Sequence, residues 1–134
     1  MLKHLTSIKP IATDVGLLLL RIVFGLLLMH YGWEKFSNYV AWSKDFPDPL
    51  GISSSLSLAL CIFAELFCAA FLVVGLLSRT VLIPLIINML VVIVLVHQND
   101  PFKEKEHAIS FLIPFIALFL TGPGKYSIDA LIKK

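Results

Sequence analysis

Charge is scarce in this chain. Lys and Arg together number 11 and Asp and Glu 9 among 134 residues, a net of +2. So small a surplus, with no clustered basic face, gives no electrostatic footprint for nucleic acid. Cysteine is scarcer still. The only two, Cys61 and Cys68, lie seven residues apart in one apolar block. On a helix that spacing is about 10 Å of rise, beyond the Cα separation a disulfide allows. There is no CxxC pair, no haem-attachment motif, no glycine-rich dinucleotide loop and no HExxH. A self-contained redox or metallopeptidase centre is therefore excluded, and both cysteines read as packing residues.

Apolar residues are what the chain has in abundance. They make up 58% of it, with a mean hydropathy of +0.91, more than a soluble domain of this size can bury. They fall into four blocks, 13–32, 55–77, 80–97 and 107–121. The first three approach the ~20 residues that cross a bilayer core, and the fourth is shorter. The expected architecture is all-α: a transmembrane four-helix bundle forming one domain over 1–134, with a short C-terminal segment, 122–134. Lys3, His4 and Lys9 precede the first block as in a signal peptide, but LLLMHYGWEKF offers no A-x-A-like cleavage site, so the first helix reads as uncleaved.

The link between blocks two and three reads as Ser78 and Arg79 alone, a tight antiparallel hairpin. QNDPFKEKE joins three to four. The long connection, from Trp33 to about Ser54, places Phe36, Tyr39, Val40 and Phe46 near one helical face, as an amphipathic segment in the membrane interface would. With the termini inside, Lys3, Lys9, Arg79, Lys125, Lys133 and Lys134 lie on the cytoplasmic side and Lys35, Lys44, Lys103 and Lys105 outside. This balance favours both termini in the cytoplasm. Gly122, Pro123 and Gly124 end the fourth helix, and Ser127 is placed to cap a last short one.

Glu65 stands out. It sits at mid-depth in the second block, where a charged residue costs ~2.5–3.5 kcal/mol. Thirteen Leu, Ile, Phe and Val residues between Leu56 and Leu77 each return ~0.3–0.6 kcal/mol, so the helix still inserts with Glu65 turned away from lipid. Ser54, Ser57, Cys61, Cys68 and Ala69 share its side, a stripe suited to close helix packing. Its expected partner is Arg21, from a first-helix stripe of Arg21, Gly25, Leu28, Gly32 and Lys35. Thr80, Pro84 and Asn88 form a third stripe, with Pro84 freeing the Thr80 carbonyl, and His107, Ser110, Pro114 and Thr121 a fourth.

Arg21, Glu65 and Asn88 are thus the expected lining of a polar interior, either a pocket for a small redox molecule and a proton step or an ion pair that specifies packing. A second group, His30, Glu34, His97, Glu106 and His107, lies near the outer helix ends. Its spacing matches no metal signature, so no metal is expected, and a quinone head group hydrogen-bonded by a histidine fits that layer better.

The stretches LLLLRIVFGLLLMHYGWEKF, DPLGIS, AELFCAAFLVVGLLSRT and GPGKYSIDAL together resemble the DoxX family of small four-helix membrane proteins, in order and over nearly the whole chain. The resemblance marks Arg21, Gly25, Gly32, Lys35, Glu65, Gly75, Arg79, Gly122, Pro123 and Gly124. It implies a multi-pass protein of the bacterial inner membrane. Relatives include a subunit of thiosulfate:quinone oxidoreductase and a member of a membrane oxidoreductase complex handling thiols. The expected function is a redox-associated subunit exchanging electrons with quinone, with a partner redox protein or as a homo-oligomer, and with no covalent cofactor. A non-catalytic scaffold or assembly factor is the alternative. A small transporter is a third reading, for which the chain lacks an inverted repeat.

Overall fold

The computed structural model of the chain describes residues 5–96 and 99–133, and among them it is all-α, with no strand. Four long helices, α1 (Thr13–Ser37), α3 (Ser54–Val74), α4 (Ser78–Val96) and α5 (Phe102–Thr121), pack side by side. Two short ones, α2 (Tyr39–Trp42) and α6 (Ile128–Lys133), decorate the ends. Helices α1, α3 and α4 are long and apolar enough to cross a membrane. At 1.5 Å per residue they measure about 38, 32 and 29 Å, against a hydrocarbon core of ~30 Å. Helix α5 is 20 residues long, but its first five residues include Lys103, Lys105 and Glu106.

Between the helices lie Leu28, Leu72, Leu82, Leu85, Phe115 and Leu118, each at most 1% exposed. Leu19, Leu26, Phe67 and Leu120 point outwards. Burying one apolar stripe while exposing another is the pattern of a helix between a bundle and lipid.

Helix ends depart from the sequence-based bounds for local reasons. Helix α1 continues five residues past Gly32, because Gly32 faces α3 and the terminator is Asn38, whose backbone and side-chain amides both donate to the Glu34 carbonyl. The α3–α4 connection is Gly75–Leu77, not Ser78–Arg79. Gly75 takes a left-handed conformation, φ +76°, and Leu76 N donates to Phe71 O, so the final turn of α3 is closed in the usual glycine fashion. Leu77 follows at φ +51°, uncommon for a side chain of its size. It is held by Asp129, whose carboxylate accepts from Leu77 N (2.7 Å) and Ser78 N (2.8 Å) and so caps α4 from a distance in sequence. Helix α5 starts at Phe102 rather than 107, directly after Pro101, whose extended backbone leads into the helix. Ser127 caps α6 as expected, accepting from Ala130 N at 3.2 Å.

Helix α3 is interrupted at mid-length by a π-helical stretch, Phe63–Cys68. The wider turn contains Glu65. Gly32 lies against it so closely that a Cβ there would stand 2.7–2.9 Å from backbone atoms of Glu65 and Leu66. Glycine is what allows α1 and α3 to meet at the one charged residue of α3.

Candidate functional site

Glu65 is 4% exposed and meets donors from three helices. Lys35 of α1 approaches Oε1 at 2.7 Å. Asn88 Nδ2 of α4 donates to Oε2 at 3.1 Å, and Cys61 Sγ, one turn earlier in α3, lies 2.9 Å from the same oxygen. In each of these contacts Glu65 is the acceptor. The Lys35 side chain remains 22% exposed. An ammonium has three protons, and one reaches Glu65, which leaves Lys35 with donor capacity. Asn88 keeps its carbonyl oxygen.

This group forms the polar pole of a cavity of ≈ 570 Å³. The remaining lining is mostly apolar: Leu28, Ala64, Pro84 and Met89 from the helices, and Phe46, Pro47 and Leu50 from the connection after α2. His107 adds an imidazole from α5. A concave, largely apolar volume of this size with a few convergent polar groups is the usual form of a small-molecule site. The connection is fastened over it by Asp48, whose carboxylate accepts from Ile52 N (3.0 Å) and from Ser57 Oγ of α3 (2.9 Å). Desolvation works against the Asp48 carboxylate. The Ser57 hydroxyl and the amides of Ser53, Ile52 and Gly51 nevertheless hold it below the ordinary range.

Arg21 is the main correction. It does not meet Glu65. Its guanidinium donates to Leu72 O (3.4 Å), Val73 O (3.1 Å) and Tyr126 O. The antiparallel register of α1 against α3 explains this: Gly32 sits at Glu65, so Gly25 sits at Ala69 and Val73, and Arg21 falls at the end of α3. There it donates to carbonyls of the last turn of α3, sharing Leu72 O with the Gly75 amide, and ties down the C-terminal segment through Tyr126 O. The same stripe that carries Arg21 carries Lys35, one turn beyond Gly32, and that cation is the one opposite Glu65.

The other singled-out residues divide between the two ends of the bundle. His107 lies edge-on to Tyr31 (centroids 4.7 Å) and Phe111 (5.1 Å), and His30 edge-on to Tyr31 (5.6 Å). The backbone oxygen of Glu106 accepts from Ser110. His97 lies outside the described residues. Among the described residues, no three His, Cys, Asp or Glu side chains come together as metal ligands. Pro84 lines the cavity. At the far end, Gly122 and Gly124 have positive φ. Pro123 lies between them, and Arg79 reaches the Phe119 carbonyl at 3.0 Å.

Sequence reasoning missed the cavity wall after α2 and the part of Cys61 at Glu65. Cys61 at i−4 from Glu65 was a usable signal, since residues four apart share a helix face. The wall left none, because a loop folding back onto helices has no periodicity.

Comparison with known proteins agrees with this architecture. A family model, DoxX, matches residues 16–98. The chain is 32% identical over 127 residues to Inner membrane protein YqjF of Escherichia coli (strain K12), covering 90% of this chain and 95% of that protein. It is 28% identical over 130 residues to Uncharacterized membrane protein Rv3486 of Mycobacterium tuberculosis (strain ATCC 25618 / H37Rv), covering 86% and 80%. No solved structure matches significantly. Long apolar helices and these relatives make the chain a multi-pass protein of the inner membrane, and it belongs to the DoxX family.

Proposed function

We propose that this DoxX protein is a redox-associated subunit that holds a quinone in the cavity beside Glu65 and works with a partner redox protein. The observation that carries the reading is the Lys35–Glu65–Asn88 group, built on the buried Glu65 carboxylate, at the polar pole of an otherwise apolar cavity of ≈ 570 Å³. A quinone matches this division, with carbonyl oxygens that accept hydrogen bonds on a flat apolar ring. Lys35 donates to one carbonyl while Glu65 balances its charge. Reduction takes two electrons, supplied by the partner, and two protons, both drawn from water. One is relayed through Lys35, which is 22% exposed and is reprotonated from water, to the carbonyl oxygen it faces. The other reaches the second carbonyl oxygen directly. Glu65 keeps the ammonium aimed, and Asn88 holds Glu65. In this reading α5 crosses the membrane as a fourth helix, both termini are cytoplasmic, and the aromatic segment around Trp33, Tyr39 and Trp42 rests in the opposite interface.

Equilibrium titration of the purified protein with a short-tailed quinone tests the reading, with quenching of Trp33 and Trp42 as signal. Saturable binding in the wild type and its loss in Lys35→Met are expected. Equal binding by both proteins, or none by either, overturns it.

A scaffold role is favoured by a different observation. Arg21 and Asp129 spend their polar groups on helix ends and the C-terminal segment, away from any cavity wall formed by Glu65. On that reading Lys35–Glu65 too fixes only register, and replacing the pair with apolar residues leaves partner assembly intact.

A further inference from the structure

The walls of the Glu65 cavity are unequal. Towards α2 it is covered by the connection carrying Phe46 and Leu50, fastened to α3 through Asp48 and Ser57. Towards the outside it is lined by Leu60 and Phe63 of α3 and by Ile83 and Ile87 of α4. These four side chains are 49%, 51%, 49% and 54% exposed. They belong at once to the cavity and to the apolar outer face of two membrane-length helices. Leu60 and Phe63 are three apart and Ile83 and Ile87 four apart, so each pair forms a stripe along its helix. No polar side chain is among the four.

We infer that the cavity opens sideways into the bilayer between α3 and α4, and that its ligand is a membrane-dissolved molecule whose long apolar tail leaves through this gap. The inference rests on the quinone reading and narrows it. The head group lies at Lys35 and Asn88, and the tail is polyisoprenyl or alkyl, long enough to pass Leu60 and Ile87 into lipid. Pockets that enclose whole ligands run to roughly 300–1,000 Å³, and ≈ 570 Å³ takes a quinone ring and the start of a tail. A longer tail is not expelled, since outside the gap it meets lipid rather than water. A ligand arriving from the aqueous side would instead have to displace the fastened connection.

Two photo-reactive quinones separate the possibilities in vesicles of the purified protein. One carries a diazirine at the far end of a long alkyl tail, and the other has it on the ring and lacks the tail. The tailed probe is expected to label the stretches around Leu60–Phe63 and Ile83–Ile87. The tailless probe is expected to label the neighbourhood of Cys61 and Glu65. In Ile87→Trp, which fills the gap, labelling by the tailed probe is lost while the tailless probe still labels. Tail label on the Phe46–Ile52 connection, or tail labelling unchanged in Ile87→Trp, overturns the lateral opening while quinone binding stands. If neither probe labels the cavity in the wild type, both readings fall.

Discussion

Replacing Gly32 with alanine tests whether the meeting of α1 with the π-helical stretch of α3 builds the site. The added Cβ would lie 2.7 Å from Glu65 C, 2.8 Å from Leu66 N and 2.9 Å from Glu65 O. Ordinary contact begins near 3.4 Å, and all three obstacles are backbone atoms that no rotamer change can move. The helices must separate by several tenths of an ångström over this turn. Overpacking of this kind costs ~1–3 kcal/mol, a fall in Tm of roughly 4–12 °C at about 4 °C per kcal/mol. Lys35 lies one turn beyond Gly32, so the same displacement lengthens the 2.7 Å contact with Glu65, and quinone retention falls with stability. Gly16, in the same helix, would meet nothing within 4 Å if it carried a Cβ, so Gly16→Ala is the control. It should be neutral or stabilise by up to ~1 kcal/mol. Thermal unfolding in detergent, followed by loss of the monodisperse gel-filtration peak, reads both. Equal midpoints for Gly32→Ala and Gly16→Ala would refute the close-approach argument.

Other consequences can be checked on the same preparation. Glu65→Gln strands the Lys35 ammonium and should cost on the order of 2 kcal/mol, less than the ~3–5 of a fully buried pair because Lys35 is 22% exposed. The double variant Lys35→Met/Glu65→Gln should regain thermal stability without regaining ligand, and recovery of both would count against the site. Arg21→Leu leaves the carbonyls of Val73 and Tyr126 without their guanidinium donor, and Leu72 O with only the Gly75 amide, and should cost on the order of 3 kcal/mol, measured as a lowered midpoint. Asp129→Ala removes the cap of α4 and should cost ~1 kcal/mol, with faster proteolysis around 75–78 as its signature. Desolvation works against the Asp129 carboxylate, but the amides of Ser78 and Leu77 and the Arg21 charge hold it below its usual value of 3.8. Its contribution is therefore complete above pH 3.8 and is lost as pH falls through the lower folded value. The stability gap between wild type and Asp129→Ala should narrow only there.

The four helices were legible because the signal for each is local. A run such as TVLIPLIINMLVVIVLVH, 18 residues, needs no partner to be recognised as close to membrane length. So was the stripe Arg21–Gly25–Leu28–Gly32–Lys35, since helical spacing places these residues on one face. Which cation on that stripe faces Glu65 was not legible. It depends on the register of two antiparallel helices, set by where Gly32 and Gly25 admit a neighbouring backbone. A π-helical turn shifts that register again, and no residue type announces one. Asp129 shows the same limit. It stands in the first turn of α6, yet its carboxylate caps α4, far earlier in the chain.

Everything proposed for the site turns on whether the Lys35–Glu65–Asn88 pole, and not Arg21, holds a quinone. The quantity to measure is the quinone extracted per mole of protein purified in mild detergent, from the wild type, Glu65→Gln and a still-folded Arg21→Lys. Quinone should be present in the wild type and in Arg21→Lys and lost from Glu65→Gln. Its absence from the wild type, or its retention in Glu65→Gln with loss from Arg21→Lys, would overturn the assignment of the site.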